Sequence, residues 1–267
     1  MQPVFNPAVK GNNAMKILCK IVVLALALTA VRVEARTFEE IKKEGKIIVA
    51  TEGAYPPFNY FQGPTLTGFE IELAEAMAKK MGVAIEWRAL AFDALLAGLR
   101  QDRWDMVIAS FGITEERSKA VSFTKPHYCS GGVIVARDAS IHSTKDLVGK
   151  VVAVQTGTTY LENVQKLQGL KDVKNFPKDT DARSALASGR ADAWVTDKFV
   201  AKSALEGNAS SGLKIGDYVF VERIATAVKK GNTSVAQAVD KALDEVLADG
   251  TYAAISKKYM NEDIRCR

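Results

Sequence analysis

Lys46-Ile-Ile-Val-Ala-Thr-Glu-Gly53 and Lys150-Val-Val-Ala-Val-Gln-Thr-Gly157 are two versions of one pattern, a β-branched run that ends in a polar turn containing glycine. A run of this kind reads as a buried strand feeding a turn at its carboxyl end. A second echo follows in each half. Leu99-Arg-Gln-Asp-Arg-Trp-Asp105 and Leu186-Ala-Ser-Gly-Arg-Ala-Asp192 each close a helix and enter an apolar strand, Asp105 to Ala109 and Asp192 to Val195. The chain is therefore expected to hold two similarly built α/β units. Ligands of α/β sheets bind beyond the carboxyl ends of the strands, and the loops there carry Arg117 in one unit and Asp197 in the other. A zwitterion needs both charges.

Periodicity places the helices between these strands. Phe69, Leu73, Met77 and Met81 recur every four residues before Gly82, which predicts an amphipathic helix with a glycine stop. The two methionines belong to its core stripe. Val235, Val239, Ala242, Val246 and Leu247 form another stripe, stopped by Gly250, and Tyr252 to Met260 reads as a last short helix. Ser130-Gly-Gly132 and Val221 to Ala227 are the expected crossings between the units.

The first 35 residues read as something other than fold. Lys16 and Lys20 precede the apolar stretch Ile21 to Val31 and the small-residue pattern Val33-Glu34-Ala35, a secretory signal too short to span a bilayer, with Met15 the more typical start. Setting aside Lys10, Lys16, Lys20, Arg32 and Glu34 leaves 32 basic and 30 acidic groups, so the net charge drops from +5 to +2. So slight an excess, with no basic stripe, argues against nucleic acid as partner. Cys129 and Cys266 remain after the signal, an even pair for an oxidising compartment: one disulfide is expected, two buried thiols being the alternative. No cysteine follows the cleavage pattern, so a lipid anchor has no attachment point, and a soluble periplasmic protein is expected.

Seven motifs now stand in order from about residue 38 to 262: Ala50-Thr-Glu-Gly-Ala-Tyr-Pro-Pro-Phe58, Gly68-Phe-Glu-Ile-Glu-Leu-Ala74, Phe92-Asp-Ala-Leu-Leu96, Gly112-Ile-Thr-Glu-Glu-Arg117, Val121-Ser-Phe-Thr124, Gly157-Thr-Thr159 and Ala248-Asp-Gly-Thr-Tyr252. Together they resemble the polar amino-acid family of periplasmic solute-binding proteins, family 3. The resemblance implies the two-lobed periplasmic-binding-protein-like fold (type II), each lobe an α/β sandwich, with residues 36–130 and 225–267 as lobe 1 and 131–224 as lobe 2. It also implies a free amino acid as ligand, a membrane permease of an ABC importer as partner, no cofactor, and a monomer without catalysis.

The same resemblance assigns roles. Arg117 would fork onto the ligand α-carboxylate, the geometry that suits a guanidinium, with the Gly112 N–H and the segment opened by Thr158 and Thr159 as further donors. Asp197 would meet the α-ammonium, assisted by the backbone oxygen of Ser110 or Ala109. Tyr55 and Phe92 would sandwich the side chain, and Glu52, where relatives often carry aspartate, points to a polar or basic ligand. Read without the resemblance, Arg117 is a solvated charge in the first turn of a helix capped by Thr114, Asp197 and Thr158 are ordinary helix caps, and the two aromatics are core.

Departures from the family pattern are Lys125 in Phe123-Thr-Lys-Pro-His127, where an acidic residue is common, and Glu222-Arg-Ile-Ala-Thr226 near the second crossing. Either reshapes the side-chain pocket or only the surface. His127 and His142 lack metal-ligand spacing and read as structural or exposed. The runner-up is an enzyme on this fold, a cyclohexadienyl (prephenate or arogenate) dehydratase in which Glu52 acts with Lys125 or His127. A receptor sensor module ranks third.

Overall fold

The computed structural model describes residues 1–3, 35–207 and 212–266. The apolar stretch of the expected signal, Ile21 to Val31, and Cys19 lie outside the described residues. Among those described, no helix is long and apolar enough to cross a membrane.

Strand β1 (Lys46–Thr51) lies between β5 (Ala84–Ala89) and β6 (Met106–Val107), parallel to both. In the second half β8 (Val151–Gln155) lies between β9 (Asp172–Phe176) and β10 (Ala193–Asp197), again parallel to both. The two sequence echoes thus become two parallel three-strand sets. Each set is latched in the same way. The Asp105 carboxylate accepts from Ile48 N at 2.7 Å, and the Asp192 carboxylate accepts from Val151 N at 2.7 Å. Gly53 and Gly157, the glycines that end the paired runs, take φ of 74° and 75°, a left-handed turn that a side chain would strain.

Two long strands, β7 (Val121–Ala136) and β11 (Lys214–Lys229), join the sets into one eight-stranded sheet of order β5-β1-β6-β11-β7-β10-β8-β9. They run antiparallel, with β6 on β11 and β10 on β7. The expected crossings face each other: Gly131 pairs with Val221 and Ser130 with Glu222. This is the two-lobed α/β arrangement, with both crossings in adjacent strands. A small antiparallel meander, β2 (Ala54–Tyr55), β3 (Asn59–Gln62) and β4 (Thr65–Thr67), follows β1.

The helices begin and stop where the periodicity placed them. Helix α1 (Phe38–Glu44) opens on a Thr37 to Glu40 capping box. Helix α2 (Phe69–Met81) buries Phe69, Leu73, Met77 and Met81 and stops at left-handed Gly82. Then come α3 (Phe92–Arg100), α4 (Glu115–Ala120), α5 (Thr159–Val164), α6 (Asp179–Ala187), α7 (Lys198–Glu206), α8 (Thr233–Ala248) and α9 (Thr251–Met260).

After α9 the tail turns back on the sheet. Ile264 is buried, its N–H bonds the Ser256 hydroxyl, and Cys266 is bonded to Cys129 of β7, with Cα atoms 4.8 Å apart. The bridge closes a sequence separation of 137 residues. In the chain-entropy description such a loop is worth about 4 to 5 kcal/mol. Replacing both cysteines by serine is expected to lower the urea midpoint by a stability loss of up to about that size. An unchanged midpoint would show that the unfolded chain gains nothing from losing the tie.

Candidate functional site

Most of the candidate side chains stand where an element begins or ends. Glu52 follows the last residue of β1 and Tyr55 ends β2. Phe92 is the first residue of α3, Thr158 caps α5 and Thr159 opens it, and Asp197 ends β10 and caps α7. Arg117 lies in α4, whose cap is Thr114. Strand ends and helix starts meet here because each strand of a parallel set must be followed by a helix that returns over the sheet.

Glu52, Tyr55, Phe92, Ser110, Arg117, Thr158 and Thr159 line one cavity. Gln155 and Tyr160, which sequence reasoning did not single out, complete its wall. Gly112 and Asp197 are not among the residues that line it. The free volume is about 10 Å³. That is about the space of one water, so the walls must part before an amino acid enters.

Arg117 is buried, not the solvated surface charge of the simplest reading. Its Nη1 donates to Gly112 O at 2.9 Å and its Nη2 to Gly157 O at 3.0 Å, joining the loop after β6 to the turn after β8. The guanidinium carbon lies 4.9 Å from the Phe111 ring centre and 6.0 Å from that of Phe92, and those two rings stack at 4.2 Å. Burial pushes the Arg117 pKa down, and nearby Glu162 and Glu222 oppose the shift.

Asp197 is fully buried. Its Oδ1 accepts the Phe199 N–H at 2.6 Å, the cap bond, while Oδ2 has no partner. Burial lifts its pKa to about 7, against the pull of the neighbouring Ser130 hydroxyl and the Phe199 N–H. A buried carboxylate with one bare oxygen is a costly arrangement that an arriving cation relieves. Asp197 is thus both helix cap and unsatisfied acid.

Glu52 accepts from Gln155 Nε2 at 2.7 Å, a bond that spans the cavity between the ends of β1 and β8. Burial raises its pKa to about 8, helped by the negative charge of Asp179. Asp179, itself buried and raised to about 7, accepts from Trp194 Nε1 at 2.9 Å. Tyr55 OH donates to Tyr160 OH at 3.3 Å and lies 3.4 Å from Thr196 Oγ1. Thr158 donates to Gln155 O at 2.7 Å and accepts from Leu161 N at 3.2 Å.

Ser110 is tied to the neighbouring helix by its donors. At a φ of 55°, its N–H and hydroxyl donate to the Glu70 carboxylate at 2.8 and 3.0 Å. Glu70 also takes Asn59 Nδ2 at 2.8 Å and faces His127 Nε2 at 2.9 Å. His127 is accordingly a buried structural residue. Lys125 sits at the surface on Asp244, 2.6 Å away, and His142 is exposed beside Asp217. Neither Lys125 nor His127 reaches Glu52. The other departure, Glu222, reaches the site: its Oε2 accepts from Thr159 Oγ1 at 2.8 Å.

Two facing sets of strand ends, with a guanidinium in one and a bare carboxylate in the other, define a cleft-type ligand-binding protein. The chain belongs to the bacterial extracellular solute-binding proteins, family 3, whose pattern it matches over residues 47–262. It is 34% identical over 254 residues to the L-cystine-binding protein TcyJ of Escherichia coli K12, covering 91% of this chain and 94% of that one. It is 32% identical to ABC transporter arginine-binding protein 1 of the same strain, over 80% and 90% of the two chains. Among solved structures it resembles an ancestral arginine-binding protein bound to arginine, at 40% identity and a TM-score of 0.77, covering 80% of this chain and 98% of that one.

Proposed function

We propose that this protein is the extracytoplasmic substrate-binding component of an ABC importer and that it captures a free basic L-amino acid, delivering it as a monomer to a membrane permease. Residues 1–35 serve as the export signal, which places the mature chain in the periplasm. The observation that carries this reading is that Arg117 and Asp197, one from each parallel strand set, are both buried charges, and that Asp197 Oδ2 makes no well-aligned hydrogen bond. Arg117, with the Gly112 N–H and Thr159, takes the α-carboxylate, and Asp197 takes the α-ammonium. Tyr55 and Phe92 flank the side chain. Glu52, with Asp179 behind it, receives the distal cation. The lobes, residues 36–130 with 225–267 and residues 131–224, close on the ligand because it touches both, and only such differential affinity shifts an open-closed equilibrium. Relatives named for arginine and for cystine support an amino acid as ligand.

Proton linkage tests the ligand class. In the empty cleft Glu52, with a pKa of about 8, is mostly protonated at pH 7, and Asp197, at about 7, is half protonated. A guanidinium and an ammonium favour the charged carboxylates, so both pKa values fall on binding and protons are released. Release makes affinity rise with pH and level off once pH exceeds the empty-state values. Calorimetry with L-arginine is expected to show affinity rising between pH 6 and 8, by about tenfold per unit for each full proton released. L-Glutamine leaves Glu52 protonated, and its dependence is shallower. Tight L-cystine binding beside a pH-independent, weak response to L-arginine would remove Glu52 as a cation partner.

A further inference from the structure

Beyond the clamp, three buried oxygens, Asp197 Oδ2, Ser130 Oγ and Glu222 Oε1, make no well-aligned hydrogen bond, while the Ser130 hydroxyl beside Asp197 and the Tyr160 hydroxyl beside Glu222 pull the two acids' pKa values down. The three oxygens come from β10, β7 and β11, which are neighbours in the sheet. Ser130 and Glu222 are directly paired across β7 and β11, and Asp197 is paired with Gly132 of β7, two residues from Ser130. Paired residues in an antiparallel ladder point to the same face, and so do residues two apart on one strand. The three side chains therefore share a face of the crossing strands. Gly132 adds no side chain to that face, and the rings of Phe220, its partner on β11, and Tyr160 pack over it.

Glu222 is also tied to the carboxylate end of the site. Its Oε2 holds the Thr159 hydroxyl at 2.8 Å. A Cβ on Gly112 would stand 2.0 Å from the same oxygen. Glycine at 112 thus makes room for a carboxylate supplied from β11. With one oxygen in a well-formed hydrogen bond and the other in none, Glu222 repeats the state of Asp197.

We propose that Glu222 is a further ligand-binding residue, a second carboxylate for the α-ammonium, which with Ser130 and Asp197 completes a three-oxygen cage on the crossing strands. An ammonium has three donors, and the cage offers one acceptor to each. The negative charge of Glu222 also helps to raise the Asp197 pKa, as expected for two acids built to share one cation. The inference rests on the reading of Arg117 and Asp197 as an α-amino-acid clamp. It adds steep selection for a primary α-amino group, made at the strands that link the lobes.

The test compares L-arginine with 5-guanidinovalerate, the same molecule without its α-amino group, on wild type and on Glu222→Gln, by calorimetry and competition. The glutamine variant keeps shape and the Thr159 contact while removing charge. L-Arginine is expected to bind it about tenfold or more weakly, and 5-guanidinovalerate as well as before or more tightly. Equal losses for both ligands would mean that Glu222 only braces Thr159, and no change for either would leave it outside the site. Both results overturn the proposal. Glu222→Ala, checked by thermal melting, is expected to show the same one-sided loss. The wild-type affinities test the ligand class, whereas the change in their ratio on substitution tests Glu222.

Discussion

Replacing Arg117 with alanine is expected to weaken L-amino-acid binding by about 100-fold or more, because a charge-assisted hydrogen bond contributes about 1.5 to 3 kcal/mol and the fork supplies two. The structure adds a second cost. Arg117 is buried and donates to Gly112 O and Gly157 O, so alanine also unlatches two loops and leaves both carbonyls short of a donor. A stability loss of about 1 to 3 kcal/mol should accompany the loss of affinity. Arg117→Lys separates the two effects. It keeps the charge but gives up the planar fork, and an affinity between wild type and alanine is expected. Calorimetry with the amino acid bound best by wild type, beside a urea melt of each variant, measures both quantities. An alanine variant that melts lower yet binds normally would make Arg117 a latch and nothing more.

Asp197→Asn should abolish tight binding with little damage to the fold. Asparagine caps helices as well as aspartate does, so the bond to Phe199 N that starts α7 survives. What disappears is the charge at Oδ2, the atom with no partner. Asp197→Ala removes the cap as well and is expected to cost about 1 kcal/mol more in stability. Small-angle scattering supplies the readout for mechanism. With wild type, a saturating amino acid should reduce the radius of gyration as the lobes shut, and in the asparagine variant that response should vanish with the affinity. A radius that stays constant at saturation in wild type, with normal binding by the variant, would rule out a clamp closed by these two charges.

Where the elements lie was readable from local chemistry. The β-branched runs at Lys46 and Lys150, the four-residue stripe ending at Gly82 and the Thr114 and Thr158 caps all found the elements they predicted, because each depends on neighbours within a turn or a strand. Arg117 and Asp197 could be picked out because the chain repeats itself, although the fold puts Arg117 in the helix after β6 and Asp197 at the last position of β10 rather than in loops. Contacts between distant segments left weaker traces. Gln155 is an ordinary polar residue ending a strand until β8 is set opposite Glu52, 103 residues away. Nothing near Ser110 in the sequence shows that its N–H and hydroxyl are held by Glu70, 40 residues earlier. Glu222 was visible as an oddity of the second crossing, yet only the fold sets it opposite Ser130 and brings its carboxylate to Thr159. Burial divides the two kinds of knowledge: which residues form an element follows from its own period, but whether Arg117 or Asp197 keeps its water depends on what the rest of the chain packs over it.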